Sequence, residues 1–174
     1  MNQWNNLFDY NNNYININNY FDHIYYINLD KRIDRYESIK QQLKNNEISA
    51  TRIRGIIPVS NHHKISDGQL GCLLSHLLIL NNAQEKKYNR ILILEDDTIF
   101  KDNFKFLFDR FIKHSPTNWD MLYLCGNHYG GISPVNKYIS KSNGTLTTNA
   151  YAINISIIPK LINILDQKIY HQFF

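Results

Sequence analysis

The stretch Arg90 to Asp97, RILILEDD, limits the folds open to this chain more than any other. Four apolar residues, Ile91 to Leu94, run directly into Glu95, Asp96 and Asp97. A short unbroken apolar run reads as a strand buried on both faces, as in the parallel sheets of α/β proteins. Open α/β sheets bind ligands outside the carboxyl ends of their strands, where these acids would stand. Adjacent carboxylates repel one another, so a cation or hydrogen-bond donors must offset them. A hard divalent ion such as magnesium or manganese is one candidate. A strand followed by a solvated acidic turn is the other reading, and the run alone leaves both open.

The length of 174 residues suits one domain with a real core. The net charge of +4 would accommodate an anionic small molecule, and no basic cluster points to nucleic acid. Cys72 and Cys125 lie far apart without metal-ligand spacing, so buried thiols are expected rather than a bridge. The chain shows no signal peptide and no transmembrane run, so a cytoplasmic location is expected.

Residues Met1 to Tyr20 are rich in Asn and Tyr and have no sustained period; they read as a tail or an added edge segment. The domain proper is then 21–174. His23 to Leu29 is the first buried-strand candidate. A helix should follow to about Asn45, with Ile33, Tyr36, Ile39 and Leu43 inward. Arg32 and Arg35 fall near its N-terminus, where the helix dipole favours an anion. Their alternative is surface pairing with Asp30, Asp34 or Glu37. Ala50 to Arg54 reads as a second strand and Gly55 to Lys64 as a loop, in which His62 and His63 are expected to be solvated.

Ser66 and Gln69 match a capping box, opening a helix to about Lys87 with Leu70, Leu73, Leu74, Leu77 and Leu80 on its apolar side. Gly71 and Ser75 share a face, as do Cys72 and His76. Small residues there would let a backbone or a ligand approach closely. His76 reads either as a phosphate or sugar contact or as a satisfied core histidine. Phe104 to Lys113 should be a short helix and Trp119 to Leu124 a strand, with His128 beyond it as a possible contact or a plain loop residue. Lys137 to Ser140 and Thr145 to Ile153 look like two strands of a hairpin around Asn143-Gly144. Ile157 to Gln167 is a last helix, with Pro159 in its first turn.

In order and approximate spacing, these segments resemble glycosyltransferase family 25, which includes bacterial lipooligosaccharide galactosyltransferases and collagen hydroxylysine galactosyltransferases. The resemblance rests on Ile27-Asn28-Leu29 with Arg32 and Arg35, on Gly71-Cys72-Leu73-Leu74-Ser75-His76, and on Ile93-Leu94-Glu95-Asp96-Asp97. Trp119 to Leu124 and Thr148 to Ile153 resemble its two later blocks, and the likeness covers about His23 to Gln167.

The resemblance implies an α/β, GT-A-like fold with a mixed, mostly parallel sheet flanked by helices. It implies a hexosyltransferase using a nucleotide-diphosphate sugar, UDP-galactose by family analogy, and Mn2+ or Mg2+. The acceptor would be a glycan, as in lipopolysaccharide biosynthesis, or a hydroxylysine-type residue, as in collagen glycosylation. Asp97 would hold the metal, Glu95 would face the ribose, and Asp96 could serve either role. Ile27, Asn28, Leu29, Arg32 and Arg35 would line the nucleotide pocket, with Gly71, Ser75 and His76 approaching the donor. No residue is assigned as the catalytic base.

Family members usually continue past the last helix into a further acidic block; this sequence ends before it, as a fragment of a longer protein would also do. A truncated or inactive sugar-nucleotide-binding module of the same fold is therefore the rival expectation. A signalling receiver domain, which also opens on a strand ending in acids, is rejected. Its phosphorylated aspartate would end a later strand, where this chain has Leu124 and Cys125.

Overall fold

The computed structural model describes residues 14–59 and 64–173, so the His62–His63 pair lies outside it. Its helices are α1 (Ile17–Tyr20), α2 (Ile33–Asn45), α3 (Asp67–Lys86), α4 (Phe104–His114) and α5 (Ile158–Phe173). Its strands are β1 (His23–Asn28), β2 (Thr51–Arg54), β3 (Arg90–Glu95), β4 (Met121–Cys125), β5 (Ile132–Pro134), β6 (Ser140–Ser142) and β7 (Ala150–Asn154). The main sheet has the order β2-β1-β3-β7-β4. β1 is parallel to both β2 and β3, while β7 runs antiparallel between β3 and β4. Four of the five strands therefore point the same way, giving a mixed, mostly parallel sheet.

The two-residue period of the strands divides the core. Ile24, Tyr26, Leu92, Leu94, Ala150 and Ala152 face one side and pack with residues of α2 and α4. Tyr25, Ile91, Ile93, Tyr151 and Ile153 face the other and pack with α3 and α5. The apolar run of β3 is buried throughout from Ile91 to Leu94, because both faces are covered. The capping box at Ser66 forms as expected, and α3 ends at Lys87 in the left-handed conformation. The buried side of α3 includes Leu70 and Leu80 but centres on Gly71, Ser75, Ile79 and Ala83.

Three local expectations are corrected. The Asn143-Gly144 turn does not join β6 to β7: β6 pairs with β5, and β7 enters the main sheet instead. Ala150, Tyr151, Ala152 and Ile153 are all buried, and that burial is gained between β3 and β4 rather than in a surface hairpin. Ile33, expected to face inward, is 68% exposed, because α2 begins at that residue and its inner face starts a turn later at Tyr36 and Ile39. Cys72 and Cys125 are free, as expected, but exposed rather than buried.

The described end of the Asn-rich segment, residues 14–20, also differs from a tail. Ile17 is buried, the Ile15 N–H donates to Asp109 at 3.0 Å, and the Trp119 indole N–H donates to the Tyr20 hydroxyl at 3.1 Å. Ile17→Ala is expected to destabilise the fold by about 2–5 kcal/mol, as other buried Ile truncations do. A thermal melt unchanged from the parent would show that this segment does not belong to the core.

Candidate functional site

The chain reverses its lateral direction between β1 and β3. From β1 it passes outward through α2 to β2; from β3 it passes to the other side of the sheet. A crevice opens at the carboxyl ends of these two strands, the place where such sheets bind ligands. It forms a cleft of about 340 Å³. Ile27, Asn28 and Leu29 line it from β1, Arg35 from α2, Gly71, Ser75 and His76 from α3, and Glu95 and Asp96 from β3.

Hydrogen bonds fix the floor of this cleft. Asp96 is 8% exposed. Its Oδ2 accepts from the Asn28 amide at 2.7 Å and its Oδ1 from the Arg35 guanidinium at 3.0 Å. The Asn28 amide oxygen in turn accepts from Arg52 at 2.7 and 3.1 Å. Asn28 also donates to the Arg32 carbonyl at 3.2 Å, tying the start of α2 to the strand end. Arg35 contacts Asp97 as well, at 3.2 Å, and Asn149 donates to the other Asp97 oxygen at 3.0 Å. Repulsion among the acids is thus offset by one arginine and two amides.

The α3 wall explains the small residues. A Cβ at Gly71 would lie 2.3 Å from the Ile56 carbonyl oxygen, so the group that approaches closely is the backbone of the loop after β2. Ser75 accepts from the Ile56 N–H at 2.8 Å and donates to the Gly71 carbonyl at 2.7 Å. Its hydroxyl positions that loop and is consumed in doing so.

Below them His76 is buried, its Nδ1 sharing a 2.6 Å hydrogen bond with the Tyr151 hydroxyl. Its Nε2 stands 3.6 Å from Glu95, an ionic contact longer than a hydrogen bond. Burial opposes a charge on the imidazole, yet Cys72 and Glu95 beside it push its pKa up to about 9. His76 holds the Glu95 carboxyl below its ordinary range against the cost of burial, and Thr148, donating at 2.5 Å, adds to that effect.

Two expected site residues stand apart. Arg32 does not line the cleft; its guanidinium makes a two-pronged pair with Asp34 at 2.6 and 2.9 Å. The sequence allowed that surface pairing, and the two-residue separation makes it easy to form. Arg32→Ala is therefore expected to leave the affinity for a nucleoside diphosphate within about twofold; a tenfold loss in a binding titration would return Arg32 to the pocket. Asp97 is exposed and reaches the cleft only through Arg35. His128 lies elsewhere, its ring bonded to the Thr145 hydroxyl at 2.9 Å.

Sequence reading missed Lys31, Arg52, Cys72 as a site residue, and the loop Gly55 to Pro58, all at or behind the cleft. Arg52 gave no signal, because its partner Asn28 is met only through strand pairing. Lys31 was visible as the charge next to Arg32, and it adds a second cation to Arg35 at the cleft.

The acids differ as metal ligands. Both oxygens of Asp96 are engaged by protein donors within the core, so Asp96 fits a metal poorly. Asp97 is accessible, and magnesium or manganese is commonly held by one or two carboxylates together with substrate phosphates and water. Both Asp97 oxygens also have partners, Arg35 and Asn149, so what separates it from Asp96 is exposure: an ion held there would have to displace those donors.

The fold has a counterpart in a glycosyltransferase involved in the glycosylation of the major capsid of PBCV-1. The two superpose with a TM-score of 0.51 at 13% identity, over 84% of this chain and 65% of that one. The class is thus a glycosyltransferase-type α/β fold. The profile of glycosyltransferase family 25 (LPS biosynthesis protein) matches residues 58–172, and the chain belongs to that family.

Its relatives include the procollagen lysyl hydroxylase and glycosyltransferase of Acanthamoeba polyphaga mimivirus, 31% identical over 57% of this chain and 12% of that protein. Human procollagen galactosyltransferase 2 is 25% identical over 60% of this chain and 20% of its own length. Mouse inactive glycosyltransferase 25 family member 3 is 27% identical over 60% and 22%. The chain therefore spans about a fifth or less of these relatives. Among the described residues no helix is long and apolar enough to cross a membrane.

Proposed function

We propose that this chain binds a nucleotide-diphosphate sugar in the cleft between β1 and β3 and transfers its hexose, galactose by analogy with the procollagen galactosyltransferases, to a saccharide or hydroxylated protein. The observation that carries this reading is the pair of cations, Arg35 and Lys31, at a crevice whose floor is locked by Asn28 and Asp96. Arg35 lies in the first turn of α2, where the dipole adds to its attraction for phosphate. Ile27 and Leu29 offer apolar surface to a base or ribose, and Glu95 offers a carboxylate to ribose hydroxyls. The charge of His76 lies on the same floor, beneath the α3 wall.

Asp97 would hold Mn2+ or Mg2+. A bound divalent ion would supply neutralisation of the charge gathering on the departing diphosphate. Asp97→Ala is expected to abolish the manganese dependence of donor binding, while binding without metal persists through Arg35. Equal manganese dependence in the variant and the parent would move the ion elsewhere.

A second reading, a sugar-nucleotide-binding module without turnover, is favoured by the relatives named inactive. Release of UDP from UDP-galactose, with and without acceptor saccharides, separates the two. Release above the uncatalysed background supports the transferase; tight binding without release supports the module.

A further inference from the structure

We propose that Cys72, His76 and Glu95 form a three-ligand site for a zinc-class divalent ion at the cleft, separate from Asp97. Cys72 and His76 stand four residues apart on α3, so both reach the same side of the helix. Glu95 meets them from the end of β3. One ligand atom from each, thiol sulfur, imidazole nitrogen and carboxylate oxygen, lies within 4.8 Å of the other two. The Nε2–Oε1 separation of 3.6 Å is close to the roughly 3.3 Å spanned by two ligands on a tetrahedral ion with bonds of about 2.0 Å.

His76 supplies the second, independent observation. Its Nε2 is buried and has no hydrogen-bond partner, although buried polar atoms are nearly always satisfied. Nε2 faces Cys72 and Glu95, and an ion that displaces its proton takes up the lone pair left behind, while Nδ1 keeps its hydrogen bond with the Tyr151 hydroxyl. Metal-bound histidines are commonly oriented in this way through their other ring nitrogen. Thr148, donating to the Glu95 oxygen, orients the carboxylate in the same sense.

The donor set selects the ion. Thiolate and imidazole suit zinc, whereas magnesium and manganese prefer oxygen ligands. When the ion enters it displaces the protons of the thiol and of the imidazolium, and the two released protons go to solvent. All three side chains line the cleft, and Cys72 and His76 also line a neighbouring groove between α3, β4, β7 and α5. The fourth coordination position is therefore open to water or to an oxygen of a bound ligand, the arrangement of a reactive rather than a closed zinc site.

The test uses Co2+ as a spectroscopic substitute for zinc, titrated into the full chain after chelation and without any nucleotide. Its outcome does not depend on the donor assignment. The expected result is a thiolate-to-cobalt charge-transfer band with tetrahedral ligand-field absorption, bleached by stoichiometric Zn2+ and unaffected by Mn2+. Cys72→Ser should abolish the charge-transfer band, His76→Gln should weaken cobalt binding at least about tenfold, and Asp97→Ala and Cys125→Ser should leave both unchanged. Cys72 is exposed, so its serine variant is expected to fold, and circular dichroism with Cys72→Ala as a second variant checks this. Absence of the band in the folded parent, or its persistence in either Cys72 variant, would overturn the site.

Discussion

Asp96→Ala is expected to abolish nucleotide binding and to lower stability by about 2–4 kcal/mol. The carboxylate is buried and accepts from Asn28 and Arg35, so its removal takes one partner from each. Hydrogen bonds to a charged group contribute roughly 1.5–3 kcal/mol, and an orphaned buried donor adds its own desolvation penalty. Arg35 is partly solvated and keeps Asp97, which holds the cost below that of a fully buried ion pair. The functional loss is larger than the stability loss, because Arg35 is released from the position in which it faces the cleft. Asp96→Asn keeps the shape and removes the charge, so it should fold close to the parent and bind at least about tenfold more weakly. Chemical denaturation paired with a nucleotide titration reads both effects. Unaltered nucleotide affinity in a folded Asp96→Ala protein would remove Asp96 from the site.

Gly71→Ala should run against the usual helix rule. Glycine in a helix interior is less favourable than alanine by about 1 kcal/mol, so the substitution ordinarily stabilises. Here the added Cβ would meet the Ile56 carbonyl oxygen at 2.3 Å and Pro58 Cδ at 3.2 Å. The oxygen belongs to backbone, so the whole loop after β2 must move, straining the bond from the Ile56 N–H to Ser75. Overpacking of this kind costs about 1–3 kcal/mol, and the cleft loses the wall formed by Ile56, Ile57 and Pro58. Gly68→Ala, three residues earlier in the same helix, would meet nothing within 4 Å and should be neutral or stabilising by up to about 1 kcal/mol. Opposite signs in the two thermal melts are the expected outcome. A stabilising Gly71→Ala would mean that the loop does not pack against α3.

How far this architecture can be read from sequence depends on the range of the interactions. The α3 capping box, the buried run of β3 and the amphipathic α2 are set by residues within a turn or two of each other, and local pattern found them. The insertion of β7 beside β3 is a pairing across more than fifty residues of chain. The Asn143-Gly144 turn signal pointed instead to a neighbouring strand. The same limit governs the site. The acids and small residues were visible as motifs, but Arg32 and Arg35 looked equivalent. Only the position of Asp34 beside one and Asp96 beside the other distinguishes them. Asp96 looked like a metal ligand because its partners, Asn28 and Arg35, lie more than sixty residues away.

The most direct test of the central claim, that the cleft between β1 and β3 takes a nucleoside diphosphate, is calorimetric titration of UDP into the parent, Arg35→Ala and Arg32→Ala proteins. The account predicts saturable binding to the parent, near-parental affinity in Arg32→Ala, and at least about a tenfold loss in Arg35→Ala. Equal affinity in the parent and Arg35→Ala, or no binding to the parent with or without Mn2+, would contradict it.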